Sequence, residues 1–318
     1  MLAHRVVVTG SAGHLGEALV RTLLERGYEV VAADSRPSTF TTHVGSITSR
    51  EFMDECVRDC TTLFHCASLH KRHLSTHAQR EFLRVNVEGT LTVLEAAVAA
   101  GVRSVVYTST TSVYGAAFKP APSEPAVMVD ESLPCIPKNI YGVTKKAAED
   151  LCELIARTQG LTCTVLRAGR FYPEADPPDD GPQVLVDDLN AKVNDFLFRR
   201  LDLADAVEAH ILAGHRGPGA GFRRYVLSST SPFLSEHAAR LRHDASGLLR
   251  ELVPEHEPIF RSLGWSAPRS ISRVYCNDMA RRELQWAPQF DFRTILGRLQ
   301  AGASPFSELS RLVGSKDY

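Results

Sequence analysis

Apolar positions along the first half of the chain alternate between two periods. Arg5 to Thr9 is a β-branched run of the kind that forms a strand buried on both faces. Leu15, Leu19, Thr22 and Leu23 then recur at helical spacing, and Gly27 ends the pattern. A second strand follows over Glu29 to Ala33, closed by Asp34. The alternation continues with a strand over Thr62 to Ser68 that ends in small residues and a long helix over Ala78 to Ala100, in which Phe82, Val85, Leu91, Leu94 and Val98 are apolar. Val102 to Thr108 predicts the next strand. Tyr141 to Gly160 predicts a helix on Val143, Ala147, Leu151 and Leu154, and Leu161 to Leu166 a further strand. Strands alternating with helices predict an α/β fold, a doubly wound parallel sheet.

The second half reads differently. Phe118 to Lys138 is Pro-rich and loop-like. Pro173 to Pro182 is acidic and Pro-rich, which predicts a solvated loop, with a lid over a substrate as the functional alternative. Phe196 to Leu203 looks extended, and Asp202 to Ala213 begins a helix with Asp205 near its start. Gly214 to Gly221 is turn-rich, Tyr225 to Ser228 is a strand, and the remainder is helix-rich and interrupted by prolines. The expected organisation is a doubly wound core over 1–172 and a smaller lobe over 173–318, the main candidate for holding a substrate. Segments at about 196–228 return to the core.

Composition narrows the function classes. A chain of 318 residues exceeds one minimal core, and 44% hydrophobic with 23% charged residues is ordinary for a globular protein. A net charge of −1 gives no basic field for nucleic acid. The apolar runs fall short of the roughly 20 residues that span a bilayer, so no membrane partner is expected. The strand-like His4 to Val8 leaves no room for a signal peptide, and seven cysteines include no C-x-x-C pair. A reduced, cytoplasmic compartment is the expectation. Cys56 and Cys60 share a predicted helix face and read as buried structural thiols.

Two motifs carry chemistry. Thr9-Gly10-Ser11-Ala12-Gly13-His14-Leu15-Gly16 joins the first strand to the first helix. Gly10 allows a tight turn, Gly13 lets backbone N–H groups approach a pyrophosphate, and Gly16 lets helix and strand pack closely. Ala12, His14 and Leu15 complete that turn. Asp34, with Ser35 after it, stands roughly 20 residues beyond and can bond a ribose 2′-hydroxyl. Tyr141 and Lys145 lie one turn apart on one helix face. A fixed ammonium beside a phenol is expected to lower its pKa from about 10, giving a proton carrier usable near neutral pH.

The G-x-x-G-x-x-G spacing, with Tyr-x-x-x-Lys downstream, resembles the short-chain dehydrogenases. In size and motif order it resembles their extended branch, the NAD-dependent epimerase/dehydratase family. The resemblance implies a Rossmann-like sheet with NAD across it. It puts Cys66, Ala67 and Ser68 beside the cofactor and makes Asn86-Val87-Glu88-Gly89-Thr90 the family's Asn-centred motif. The catalytic hydroxyl, three residues before Val113, is Thr110. Tyr141 then takes or gives the proton, Lys145 also bonds the nicotinamide ribose, and Asn86 supports the network. Ala280 to Pro288 is similar to a late E-L-G-W-x-P helix.

Expected contacts to a small-molecule substrate are His70, Lys71, Thr111 and Arg170. The family implies a homodimer through the two long helices. The expected activity is hydride transfer at a secondary alcohol or ketone carbon of a sugar or nucleotide-sugar, as in an epimerase. Alternatives are a net dehydrogenase/reductase of a non-nucleotide alcohol or ketone, and a non-catalytic nicotinamide sensor. Nucleotide-sugar relatives carry Asn where this chain has Arg170, an R-D-[YF] pattern where it has Phe198-Arg199-Arg200, and an Asp near Ser46. His70, His73 and His77 fall at i, i+3 and i+7, but no carboxylate or Cys set completes a zinc site, so no metal is expected.

Overall fold

A computed structural model describes residues 4–172 and 188–316. The main sheet contains β1 (Arg5–Thr9), β2 (Glu29–Asp34), β3 (His43–Val44), β4 (Thr62–His65) and β5 (Ser104–Thr110). A short β6 (Val127–Val129) leaves it, and β7 (Thr162–Ala168) and β8 (Phe222–Leu227) complete it. All seven strands are parallel, in the order β3-β2-β1-β4-β5-β7-β8, and β6 pairs separately with β9 (Arg273–Tyr275). Chain order reverses between β1 and β4, and a crevice opens at such a point beyond the strands' carboxyl ends.

The helices are α1 (His14–Glu25), α2 (Arg50–Cys56), α3 (Gln79–Leu83), α4 (Gly89–Ala99), α5 (Ile140–Gln159), α6 (Asp188–Asp195) and α7 (Leu203–Gly214), followed by shorter ones. Alternate strand residues feed opposite layers. Val6 and Val8 join Leu19, Leu23 and Ala206 on one face. Val7 joins Val93, Leu94 and Cys152 on the other. A third core, built on Phe196, Leu248, Phe260 and Phe292, lies mostly after residue 190. Among the described residues no helix is long and apolar enough to cross a membrane.

Local signals place the ends of α5. The Asn139 side chain accepts from the Gly142 amide at 3.0 Å, and Gly160 closes the helix at φ +72°. The predicted helix over Ala78 to Ala100 forms with a π-turn at Arg84–Glu88 between α3 and α4. Two expectations fail. Phe196 to Arg199 is a turn rather than a strand, because the Asp195 carbonyl accepts from the amides of Arg199 and Arg200, and Phe196 and Leu197 both enter the third core. Only Arg200 bridges to Arg170. Cys60 lies beyond α2, past Asp59 at φ +60°, so it shares no helix face with Cys56, although both thiols are buried. The acidic Pro173 to Pro182 stretch lies outside the described residues.

Candidate active site

The turn after β1 is shaped by what its glycines lack. Gly10 sits at φ +79°, and a Cβ there would lie 2.6 Å from the Ala67 nitrogen. A Cβ on Gly16 would lie 1.9 Å from the Gly10 carbonyl oxygen. Only glycine allows β1, β4 and α1 to meet this closely. Gly13 is the extended residue before α1, so the helix N-terminus faces the crevice. At the end of β2, Asp34 accepts from the Ala12 amide at 3.0 Å and the Arg36 amide at 2.9 Å.

A cleft of about 420 Å³ runs across the sheet edge from this turn. Gly10, Gly13, His14, Leu15 and Gly16 line it, with Asp34 and Ser35 at one end. Cys66, Ala67 and Ser68 form its floor after β4, and Thr110, Tyr141 and Lys145 stand beyond them. Ala12 contributes its amide to Asp34 rather than to the lining. Glycine clearance, a helix N-terminus and a carboxylate at the β2 end together fit a dinucleotide with a free ribose hydroxyl.

α5 lays Tyr141 and Lys145 against β5, both buried. Burial pushes the Tyr141 phenol up to about 12, and a hydrogen bond with the Thr110 hydroxyl opposes the rise. Burial also pulls the Lys145 ammonium down to about 8, against the opposing pull of Cys66, Glu149 and Cys152. This corrects the expectation that Lys145 depresses Tyr141. The ammonium donates to the Thr108 carbonyl at 2.6 Å and lies 4.2 Å from the Tyr107 ring centre, so desolvation dominates at the phenol.

Asn86 reaches the site indirectly. Its carbonyl oxygen accepts from the Leu69 amide at 2.8 Å, and its nitrogen donates to the Leu69 carbonyl at 2.9 Å and to the Thr144 hydroxyl at 3.1 Å. It pins the segment after β4 to the first turn of α5. Of the expected substrate contacts, His70 lines the cleft. Lys71 begins a short 3₁₀ turn, Thr111 is buried, and Arg170 pairs with Asp195 at 3.4 Å; none of the three lines the cleft.

His70, His73 and His77 do come together, with ring centres 4.4 and 4.9 Å apart. Burial pulls His70 down to about 3 and His73 to about 4, so both rings are neutral. Among the described residues no group of three or more His, Cys, Asp or Glu side chains could hold a metal ion.

Sequence reasoning missed the far wall. Tyr172 stacks on His70 at 5.7 Å and 14°, meets His14 edge-on at 5.3 Å, and leans on Phe171 at 4.5 Å. An aromatic pair just after β7 was the available signal.

Residues 6–195 match the family described as "NAD dependent epimerase/dehydratase family". The chain is 32% identical to the 4-hydroxy-2-methyl-3-oxo-4-farnesyl-3,4-dihydroquinoline-1-oxide ketoreductase of Stigmatella aurantiaca, over 94% of this chain and 96% of that one. It is 36% identical to a 3-beta-hydroxysteroid dehydrogenase of Mycolicibacterium neoaurum, over 90% and 87%. A short-chain dehydrogenase/reductase superfamily protein from Agrobacterium tumefaciens, solved with bound NAD, shares the fold with TM-score 0.65 at 20% identity, covering 94% and 96%. With its glycine turn, switch-point cleft and Tyr-x-x-x-Lys helix, the chain belongs to the NAD-dependent epimerase/dehydratase family, as an enzyme of the extended short-chain dehydrogenase type.

Proposed function

We propose that this enzyme is a net dehydrogenase/reductase acting on a secondary alcohol or ketone carried by a largely apolar ring. The observation that carries this reading is the aromatic cluster of Tyr172, Phe171 and His70, which lines the same cleft as Tyr141. A sugar diphosphate calls for cationic forks. Arg170 and Arg199 are instead tied to Asp195 and Arg200 donates to the Tyr172 carbonyl, so the arginines lining the cleft among the described residues are Arg36, at the Asp34 end, and Arg84. Two relatives, 32% and 36% identical over 94% and 90% of this chain, are named for a dihydroquinoline and a steroid, which supports the same reading, whereas a UDP-glucose 4-epimerase at 30% identity matches 51% of it.

Bound NAD supplies the hydride chemistry. Tyr141 carries the proton to or from the substrate oxygen, and Thr110 donates to that oxygen and sets its direction. Lys145 adds a cation beside the reacting groups, and Asn86 keeps the cleft floor in register with α5. The alternative expectation, an epimerase that re-reduces one sugar carbon on retained cofactor, keeps the same proton carrier.

An absorbance assay at the nicotinamide band separates the readings. Turnover of a 3β-hydroxysteroid or a bicyclic ring ketone, with exchangeable cofactor, is expected. Turnover of UDP-glucose with tightly retained NAD, and none of the ring substrates, would overturn the proposal. We further propose a homodimer through α3–α4 and α5, supported by the exposed Leu83, Val143 and Leu154 on those helices. Light scattering showing only monomer at micromolar concentration rejects it.

A further inference from the structure

Glu149 lies one turn beyond Lys145 on α5, so Tyr141, Lys145 and Glu149 form one stripe facing the sheet. It is fully buried, and a buried carboxylate persists only where charged donors surround it. Arg167 of β7 supplies two nitrogens, Nε at 3.0 Å from Oε1 and Nη2 at 2.7 Å from Oε2. Nε of Arg224 on β8 lies 3.1 Å from Oε2. The Ser109 hydroxyl on β5 donates to Oε1 at 2.6 Å. Ser109 pairs with Arg167 in the strand register, as Thr110 does with Ala168. One carboxylate thus ties three adjacent strands to the helix bearing Tyr141 and Lys145, and one of its donors directly precedes Thr110.

The same carboxylate faces Lys145. From β5 the ammonium meets the Thr108 carbonyl and the Tyr107 ring. From the end of β4 come Cys66 and His65, from the segment after it His70, and from α5 Tyr141, Glu149 and Cys152. Burial keeps both thiols, both phenols and both imidazoles uncharged at neutral pH. Glu149 is the one among them that forms an ion pair, with Arg167 at 2.7 Å.

We propose that Glu149 is a positioning residue for the reaction: through Ser109 it sets Thr110 against Tyr141, and one helical turn away it faces the Lys145 ammonium. The proposal rests on the roles given above to Thr110, Tyr141 and Lys145.

Glu149→Gln keeps the shape and removes the charge. Its turnover should fall about ten- to hundredfold, as misplaced reacting groups do, with the substrate KM little changed. The loss should be larger at pH 8 than at pH 6. In ligand-free protein, heteronuclear NMR of the Lys145 side chain should place its titration midpoint about one unit or more lower. Ser109→Ala should reduce turnover without moving that midpoint.

Should Glu149→Gln not fold, Glu149→Met with Arg167→Met removes the buried pair together, a change that cores often tolerate, and should show the same midpoint shift. Wild-type turnover in folded Glu149→Gln or the double variant overturns the proposal, and so does an unmoved Lys145 midpoint. Failure of the catalytic reading is distinguishable. It appears as wild-type turnover in Tyr141→Phe, whereas the Lys145 midpoint is read without catalysis.

Discussion

The two ends of the cleft work by different physics. At the Asp34 end, recognition is made from backbone: missing Cβ atoms at Gly10 and Gly16, a helix N-terminus, and one carboxylate held by two amides. At the Tyr141 end, side chains buried on α5 and β5 do the chemistry, and their ionisation is set by desolvation. The first end is polar and part-exposed, so it tolerates changes of charge better than changes of volume. The second tolerates neither, because a group removed there leaves a buried partner unsatisfied.

The largest expected effect breaks the chemical end alone. Tyr141→Phe keeps the ring and removes the hydroxyl, so turnover should fall about 10²–10⁴-fold while NAD binding by fluorescence titration stays near wild type. Wild-type turnover would make Tyr141 an ordinary aromatic at a helix start.

Gly16→Ala breaks the other end. Its Cβ would lie 1.9 Å from backbone, which must move. NAD affinity should drop about a hundredfold or the fold should lose several kcal/mol. Binding and melting temperature both at wild-type values would reject the close approach.

Asp34→Ala should be milder. The carboxylate repels a 2′-phosphate, so its loss should narrow the preference for NAD over NADP by about tenfold, on the order of one charge-assisted hydrogen bond. Titration with both cofactors measures this, and an unchanged ratio contradicts it.

A pH series sharpens the comparison. Lys145 holds its proton less well folded, near 8, than at its ordinary 10.5, so the unfolded chain binds more protons between those values. The Lys145 contribution to stability should therefore rise with pH from about 8 toward 10, by up to about 3 kcal/mol, against a fall from the buried thiols of Cys56, Cys60, Cys66, Cys163 and Cys276, which burial raises above their ordinary 9. Tyr141 acts oppositely above pH 10, because its folded value near 12 exceeds its ordinary 10. The rise should vanish in Lys145→Met, as followed by melting of ligand-free protein. A rise that persists there has another source.

The smallest effect belongs to the next residue. Lys146 points outward to Asp150 as an exposed i,i+4 pair. Lys146→Ala should cost less than about 0.5 kcal/mol and leave turnover unchanged. A loss comparable with that in Tyr141→Phe would erase the contrast between the inward and outward faces of α5.

Much of this was legible along the chain. The β1–α1–β2 unit declares itself by local period and by glycines at a turn. The ends of α5 are written in Asn139 and Gly160, and the motif spacing places Tyr141 and Lys145 on one face. These features depend on neighbours within a few residues, which is why periodicity and capping chemistry find them. The turn at Phe196 was missed because apolar residues there serve a core formed by distant segments.

What tertiary structure alone decided concerns partners far apart in sequence. Lys145 turns to the Thr108 carbonyl, Arg170 is held by Asp195, Tyr172 folds onto His70 and His14, and Glu149 collects donors from β5 and β7 and an ion pair from β8. Desolvation sums over every neighbour in space. The rise of Tyr141 and the fall of Lys145 therefore existed nowhere in the local pattern until β4, β5 and α5 had closed around them.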